Sequence, residues 1–156
     1  MIDLQGLPAS RGTYVLRLSV MCAQSIGIGR LGLQHFPIGV YFYVGSARGT
    51  GGLRARVGRH LRGDGAQHWH IDYLRTIAEV RAVLYTVTDN MPLECAWSQA
   101  LAQMPTAFIP VPHFGSSDCR SRCAAHLIAF PRRVRLASVE TVLSAVDTSP
   151  VLRFAP

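Results

Sequence analysis

Two short tyrosine–glycine stretches and an arginine-rich segment gather the side chains of this sequence best suited to chemistry. Gly12-Thr13-Tyr14 opens one apolar run, Tyr43-Val44-Gly45 closes a second, and Leu53-Arg54-Ala55-Arg56-Val57-Gly58-Arg59-His60 follows directly. The set offers phenols, guanidinium groups and an imidazole in a stretch without an acidic residue. Arginine presents a planar fork to phosphate oxygens, and phenol and imidazole can relay protons. Such a set suits the handling of a phosphodiester. On pattern alone, Tyr14 and Tyr43 read first as half-buried aromatics of a sheet.

Those side chains need elements to position them. On a 3.6-residue period Leu53, Val57 and Leu61 form the apolar stripe of a helix over 53–62. Arg56 and His60, four apart, stand along one edge of it, Arg59 and Arg62 point outward, and Gly63-Asp64-Gly65 ends it. Upstream, Tyr14, Leu16, Leu18 and Val20 alternate with their neighbours and predict a strand over 12–21. A short hairpin turning near Arg30 to Gly32 and a strand over 40–44 follow. Downstream the pattern predicts a helix over 68–78, a strand over 80–87 and a turn at Thr88-Asp89-Asn90. A helix over 93–104 then starts behind Pro92. An extended segment over 105–112, a strand over 126–130 and a last helix carrying Val139, Val142, Leu143 and Val146 complete the chain.

A length of 156 residues suffices for one domain with a real core. The composition, 49% hydrophobic against 16% charged, excludes a disordered chain. Every basic side chain is arginine, and the charge is lopsided: residues 1–64 sum to +6 and residues 65–156 to +1. A basic half beside a neutral one predicts an anionic partner, most simply nucleic acid, with an idle basic surface as the alternative. No apolar run approaches the about 20 residues a membrane span needs. The first residues lack the basic-then-apolar pattern of a signal peptide. Four cysteines do not make a secreted framework, so a cytoplasmic setting is the expectation.

With strand, strand, arginine helix, strand and Glu94 helix in sequence, the chain resembles the GIY-YIG nuclease superfamily, and most of all its small stand-alone members. The stretches that carry the likeness are Tyr43-Val44-Gly45-Ser46-Ala47, Gly51-Gly52-Leu53-Arg54-Ala55-Arg56, His68-Trp69-His70-Ile71-Asp72-Tyr73-Leu74 and Ser117-Asp118-Cys119. The resemblance implies an α/β domain of the α+β type, with a GIY-YIG-like, mainly antiparallel central sheet flanked by helices. It implies a GIY-YIG nuclease-like domain over 1–130. A C-terminal extension over 131–156, with a short helix, would pack on the same domain. It also implies a divalent-metal-dependent endonuclease hydrolysing DNA phosphodiesters, as in the N-terminal domain of the repair protein UvrC. Tyr43 would accept or relay the proton of the attacking water, Arg56 would stabilise phosphoryl charge, and His60 and Tyr14 would complete the site. Glu94 would hold the metal, Mg2+ or Mn2+, which keeps several waters and borrows phosphate oxygens. A tyrosine with a pKa of about 10 is a poor base unless cations lower it; Arg56 and the metal would supply that field. Arg48, Arg54, Arg59 and Arg62 would contact phosphates. The alternative is a non-catalytic nucleic-acid-binding module on the same scaffold.

Two further clusters carry metal-ligand residue types. His68-Trp69-His70-Ile71-Asp72 resembles a hydrolytic metal motif superficially, and a structural or substrate-contact role is the simpler reading. Cys119, Cys123 and His126, with His113 upstream, form one irregular group where zinc sites usually have two paired knuckles. Partly buried thiols are therefore the preferred reading, with a zinc-stabilised interaction domain as a third alternative. Cys22 and Cys95 read as small apolar core residues, and Arg132-Arg133-Val134-Arg135 as a solvated linker.

Overall fold

The computed structural model describes residues 3–63, 65–89 and 91–156. Its elements in chain order are β1 (Gly12–Val20), β2 (Gln24–Gly27), β3 (Leu33–Phe36), β4 (Gly39–Ala47), α1 (Gly52–Arg62), α2 (His70–Leu74), β5 (Ala78–Val87), α3 (Glu94–Ala102), β6 (Leu127–Phe130), α4 (Leu136–Ser144) and β7 (Leu152–Phe154). Five strands form one sheet in the order β6-β4-β1-β5-β7, every neighbouring pair antiparallel, and β2 and β3 make a separate hairpin.

Side-chain alternation along β1 divides the molecule into two layers. Tyr14, Leu16, Leu18 and Val20 pack with Leu53, Val57 and Leu61 of α1 and with Ile71 and Leu74 of α2. Val15, one residue out of phase, belongs to the opposite core with Phe42, Leu84, Trp97 and Leu101 of α3, and Val139 and Leu143 of α4. Removing one such side chain, as in Leu53→Ala, costs about 2–5 kcal/mol.

The structure redraws several elements. The expected helix over 68–78 is only the single turn and a half of α2. The Asp72 carboxylate accepts from the amides of His68 and Trp69, both at 2.9 Å, which holds Trp69 extended ahead of the helix. At its other end the chain enters β5 at Ala78 to pair with Val20. The segment after Pro105 turns and touches β6 through the bridge Phe108–Ala129. The last helix begins at Leu136, and β7, not expected at all, adds Phe154 to the α1 core. Gly63 closes α1 at φ 64° with its amide on the Arg59 carbonyl. Asp64 and Asn90, parts of two expected turns, lie outside the described residues.

Candidate metal centre and its cleft

Three thiols and an imidazole meet where the start of α3, the loop over 113–126 and the start of β6 come together. The donor atoms of Cys95, Cys119, Cys123 and His126 all lie within 4.8 Å of one another. Cys95 Sγ is 3.3 Å from Cys119 Sγ and 3.8 Å from His126 Nε2. Ligands on a zinc tetrahedron with Zn–S bonds of about 2.3 Å stand about 3.8 Å apart, so the set needs little adjustment to close on an ion. Soft thiolates with one imidazole are the donors zinc takes, and hard Mg2+ does not.

Two details support this fit. His126 Nδ1 is buried without a hydrogen-bond partner and faces Glu94 Oε2 at 3.8 Å. That leaves Nε2 for a metal and sets a carboxylate behind the imidazole, the usual arrangement around a ligating histidine. Burial opposes ionisation of Cys119, but hydrogen bonds from the Cys123 backbone and the neighbouring thiols outweigh it and pull its pKa down. Burial pushes the Cys123 thiol up to about 12, and the adjoining thiols add to the rise. Only a bound cation would make both thiolates together.

The supports of the centre reach across the fold. Thr13 Oγ1 of β1 accepts from the Leu93 amide at 3.1 Å and so fixes the start of α3, where the helix dipole favours negative sulfur at Cys95. His70 Nδ1 accepts from the Gly115 amide at 2.9 Å, and Ser116 Oγ donates to the Cys123 carbonyl at 3.1 Å. Gly115 has φ 73°, and a Cβ there would lie 3.0 Å from the Tyr43 ring. His113 and Arg122 hold left-handed backbone at φ 66° and 53°, strain concentrated in the loop that carries the ligands.

Beside the centre opens a cleft of about 380 Å3 whose walls include Tyr14, Tyr43, Arg56, Trp69, Glu94, Cys119 and His126. The structure thus brings together all five residues expected to act there, although His60 stands behind the wall. Tyr14 Oη lies 2.8 Å from His60 Nε2, and His60 Nδ1 faces Asp72 Oδ1 at 3.7 Å. This places the imidazole proton toward Asp72, with Nε2 accepting from Tyr14. The close approach of Tyr14 to β4 requires Gly45, where a Cβ would sit 2.5 Å from the phenol oxygen. Burial holds the pKa of Tyr14 well above its usual value, helped by Tyr43 and only partly opposed by Arg56. Burial and the Glu94 carboxylate raise that of Tyr43 as well. Both phenols are therefore protonated near neutral pH. Burial also lowers the pKa of His60 against the pull of Asp72, which leaves the imidazole neutral. Asp72 itself would be raised by burial, but His60, two amides and Arg59 hold it far below the carboxylate range.

The expected phosphate-contacting arginines are spread more widely. Arg48 donates to the Thr88 and Asp89 carbonyls, and Arg54 to the Leu7 carbonyl at 2.7 Å. Arg59 pairs with Asp72 at 3.1 Å, and Arg62 is exposed at the end of α1. Arg56 differs in lining the cleft, and it shares the Trp69 ring with Arg59, each guanidinium 4.1 Å from the ring centre. Sequence reasoning missed Cys95 and Thr13 as contributors, whereas Asp72 and Trp69 belong to the stretch for which it preferred a structural or substrate-contact role. Cys95 lies in the first turn of α3, a half-buried thiol, and Cys22 is exposed, so neither is a core residue. His113, the expected fourth member of the cysteine group, is exposed and outside it. Three ligands in one loop, one short of the four a structural zinc takes, were the available signal for Cys95.

Comparison with known families gives one match, to a domain of unknown function, DUF123, over residues 13–148. No curated protein and no solved structure matches. The match overturns the GIY-YIG assignment and the relation to UvrC. The α+β architecture stands as described, but it is the fold of the DUF123 family and not a GIY-YIG-type arrangement. The GIY-YIG-type endonuclease, a phosphodiester hydrolase, is withdrawn with it: a Cys3His set is typical of a structural ion. Mg2+ or Mn2+ is corrected on the same ground, since the donors are sulfur-rich. Glu94, expected to hold the ion alone, instead accepts from Ser46 Oγ at 2.7 Å and backs His126. Among the described residues no helix is long and apolar enough to cross a membrane.

Proposed function

The chain belongs to the DUF123 family, and we propose that it is a zinc-stabilised module that binds nucleic acid, DNA first, through the cleft beside the metal. The observation that carries this reading is the convergence of Cys95, Cys119, Cys123 and His126 beside a cleft that three of them line and that also presents Arg56. Zinc would tie the 113–126 loop to α3 and β6 and so hold one wall of the cleft in place. Arg56, stacked on Trp69, offers its guanidinium N–H groups with no hydrogen bond to any described residue, and Arg120 stands at the rim. Such cations engage backbone phosphates regardless of sequence. Half-buried Trp69 and the protonated phenols would add a stacking surface and hydrogen-bond donors.

We also assign residues 131–156 to the same folding unit as 1–130, supported by α4 packing on the α3 core and β7 pairing with β5. Four free thiols, three of them in the metal set, suit a reducing compartment such as the cytoplasm.

The test is direct. Purified protein should carry about one zinc per chain and should retard a short DNA duplex in gels. Its binding constant should fall linearly in a log–log plot against salt, and Arg56→Gln should weaken it about tenfold. Absence of saturable binding at low salt, with zinc in place, would overturn the nucleic-acid reading. Absence of zinc from protein prepared without chelator would overturn the metal reading.

A further inference from the structure

Apart from the cleft, with which they share no lining residue, four arginines from three parts of the chain meet around one opening. Arg17 comes from the central strand β1, Arg153 from the edge strand β7, and Arg133 and Arg135 from the connection between β6 and α4. With Val134, Leu136 and Ala137 they line a pocket of about 620 Å3. The side chains of Arg17 and Arg153 share the face of Val15 and Leu84, toward α3 and α4. The supposed linker over 132–135 is thus one wall of a cavity.

Charge in this pocket is unbalanced. Glu140 engages Arg153 through two nitrogens. Among the described residues, Arg17, Arg133 and Arg135 form no ion pair with a carboxylate. The Nε of Arg17 is buried and has no hydrogen-bond partner, an arrangement that costs free energy unless a ligand supplies the acceptor. Burial, and then the cations Arg133 and Arg81, lower the pKa of the Arg17 guanidinium. The first turn of α4 opens into the same pocket with no side-chain cap and no acidic residue, and Arg135 occupies its N-cap. A positive dipole end, a cationic N-cap and three unbalanced guanidinium groups repel one another until an anion lies between them.

We propose that this pocket binds a phosphate group. The ligand's size and charge follow from the lining. Several guanidinium groups from different directions match a tetrahedral oxyanion with two negative charges better than a single carboxylate. The walls hold no aromatic ring, so the pocket offers nothing on which a base would stack and reads the phosphate alone. The phosphate reaches it either free, as inorganic phosphate or a small monoester, or as part of a nucleic-acid backbone. The site is separate from the cleft, with which it shares no lining residue.

The experiment titrates zinc-loaded protein with inorganic phosphate at constant ionic strength and follows backbone amide resonances. Saturable shifts of Leu136 and Ala137, which chloride does not reproduce, are expected. The exposed pair Arg133→Gln and Arg135→Gln should together weaken phosphate about tenfold or more, while Arg56→Gln in the cleft leaves it unchanged. Equal phosphate affinity in the double variant, or shifts that chloride matches, would overturn the site. Arg17→Gln gives a second reading, with its amide spectrum first showing that the fold is kept. A competition arm separates the sources. If a DNA duplex displaces phosphate and loses affinity in the double variant, backbone phosphates are the occupant. If phosphate binds and DNA does not compete, a free phosphate or monoester is.

Discussion

Cys95, Cys123 and Glu94 divide the labour at the metal centre in a way that substitution can separate. Cys123→Ser removes a ligand, and metal analysis should find zinc falling from about one per chain to a small fraction. Glu94→Gln keeps all four ligands and removes only the carboxylate behind His126. Competition with a chromophoric chelator should then show zinc held about 10–100-fold more weakly but still bound. Complete loss of zinc in Glu94→Gln would make Glu94 itself a ligand. His60 yields a pH prediction at the same scale. Its folded pKa lies below the unfolded value of about 6.5 because burial penalises the cation. The unfolded chain therefore binds the proton more readily, and this stability is present above about pH 6.5 and drains away as pH falls. Proton NMR should show the His60 ring still neutral at pH 6.5. Denaturation with urea should show His60→Gln losing less stability than the native chain between pH 7.5 and 5.5.

The elements explain why side chains distant in sequence meet. Thr13 on β1 holds the first turn of α3 through the Leu93 amide, so a strand residue aims a metal ligand. Thr13→Val keeps the shape and strands a buried N–H, at a cost of about 1–3 kcal/mol in urea denaturation. A cost below about 0.5 kcal/mol would mean that α3 is positioned by its packing alone. These elements were legible in the sequence to different degrees. Strand β1 and helix α1 were plain, because Tyr14 to Val20 and Leu53 to Leu61 bury whole faces at the periods 2 and 3.6. α2 was overread, because Ile71, Leu74 and Ile77 keep a helical phase that Asp72 cuts short by holding the backbone ahead of it extended. β7 was invisible, since three residues are too few for periodicity and its place rests on pairing with β5. The candidate metal centre was offered only as an alternative to partly buried thiols, because the sequence shows three of its four donors. Cys119, Cys123 and His126 share one loop, but Cys95 reaches them only through the fold. Glu94 was expected to hold Mg2+ or Mn2+, and its placement on Ser46 and behind His126 depends on contacts that only the fold makes.

Across the whole molecule, zinc bound as proposed would make metal and fold one equilibrium, because the four side chains would tie α3 and the 113–126 loop to the edge of the sheet. Removing zinc with a chelator should cost roughly 4 kcal/mol or more, or about 10 °C in Tm for a chain of this size. The loss should reverse on adding zinc and depend on its concentration. An unchanged Tm would mean that the core alone holds the loop. Two basic regions, the cleft and the arginine pocket, share no lining residue, and the sheet divides two cores that share only the strands. Each layer happens to carry one of the two tryptophans. Trp97 is fully enclosed in the α3 layer, whereas Trp69 lies at the cleft with the guanidinium groups of Arg56 and Arg59 each at 4.1 Å. The protein therefore has a built-in pair of optical reporters. A ligand drawing Arg56 off the indole should change the emission of Trp69 and leave that of Trp97 as it was, so Trp97→Phe turns the intrinsic fluorescence into a gauge of the cleft alone.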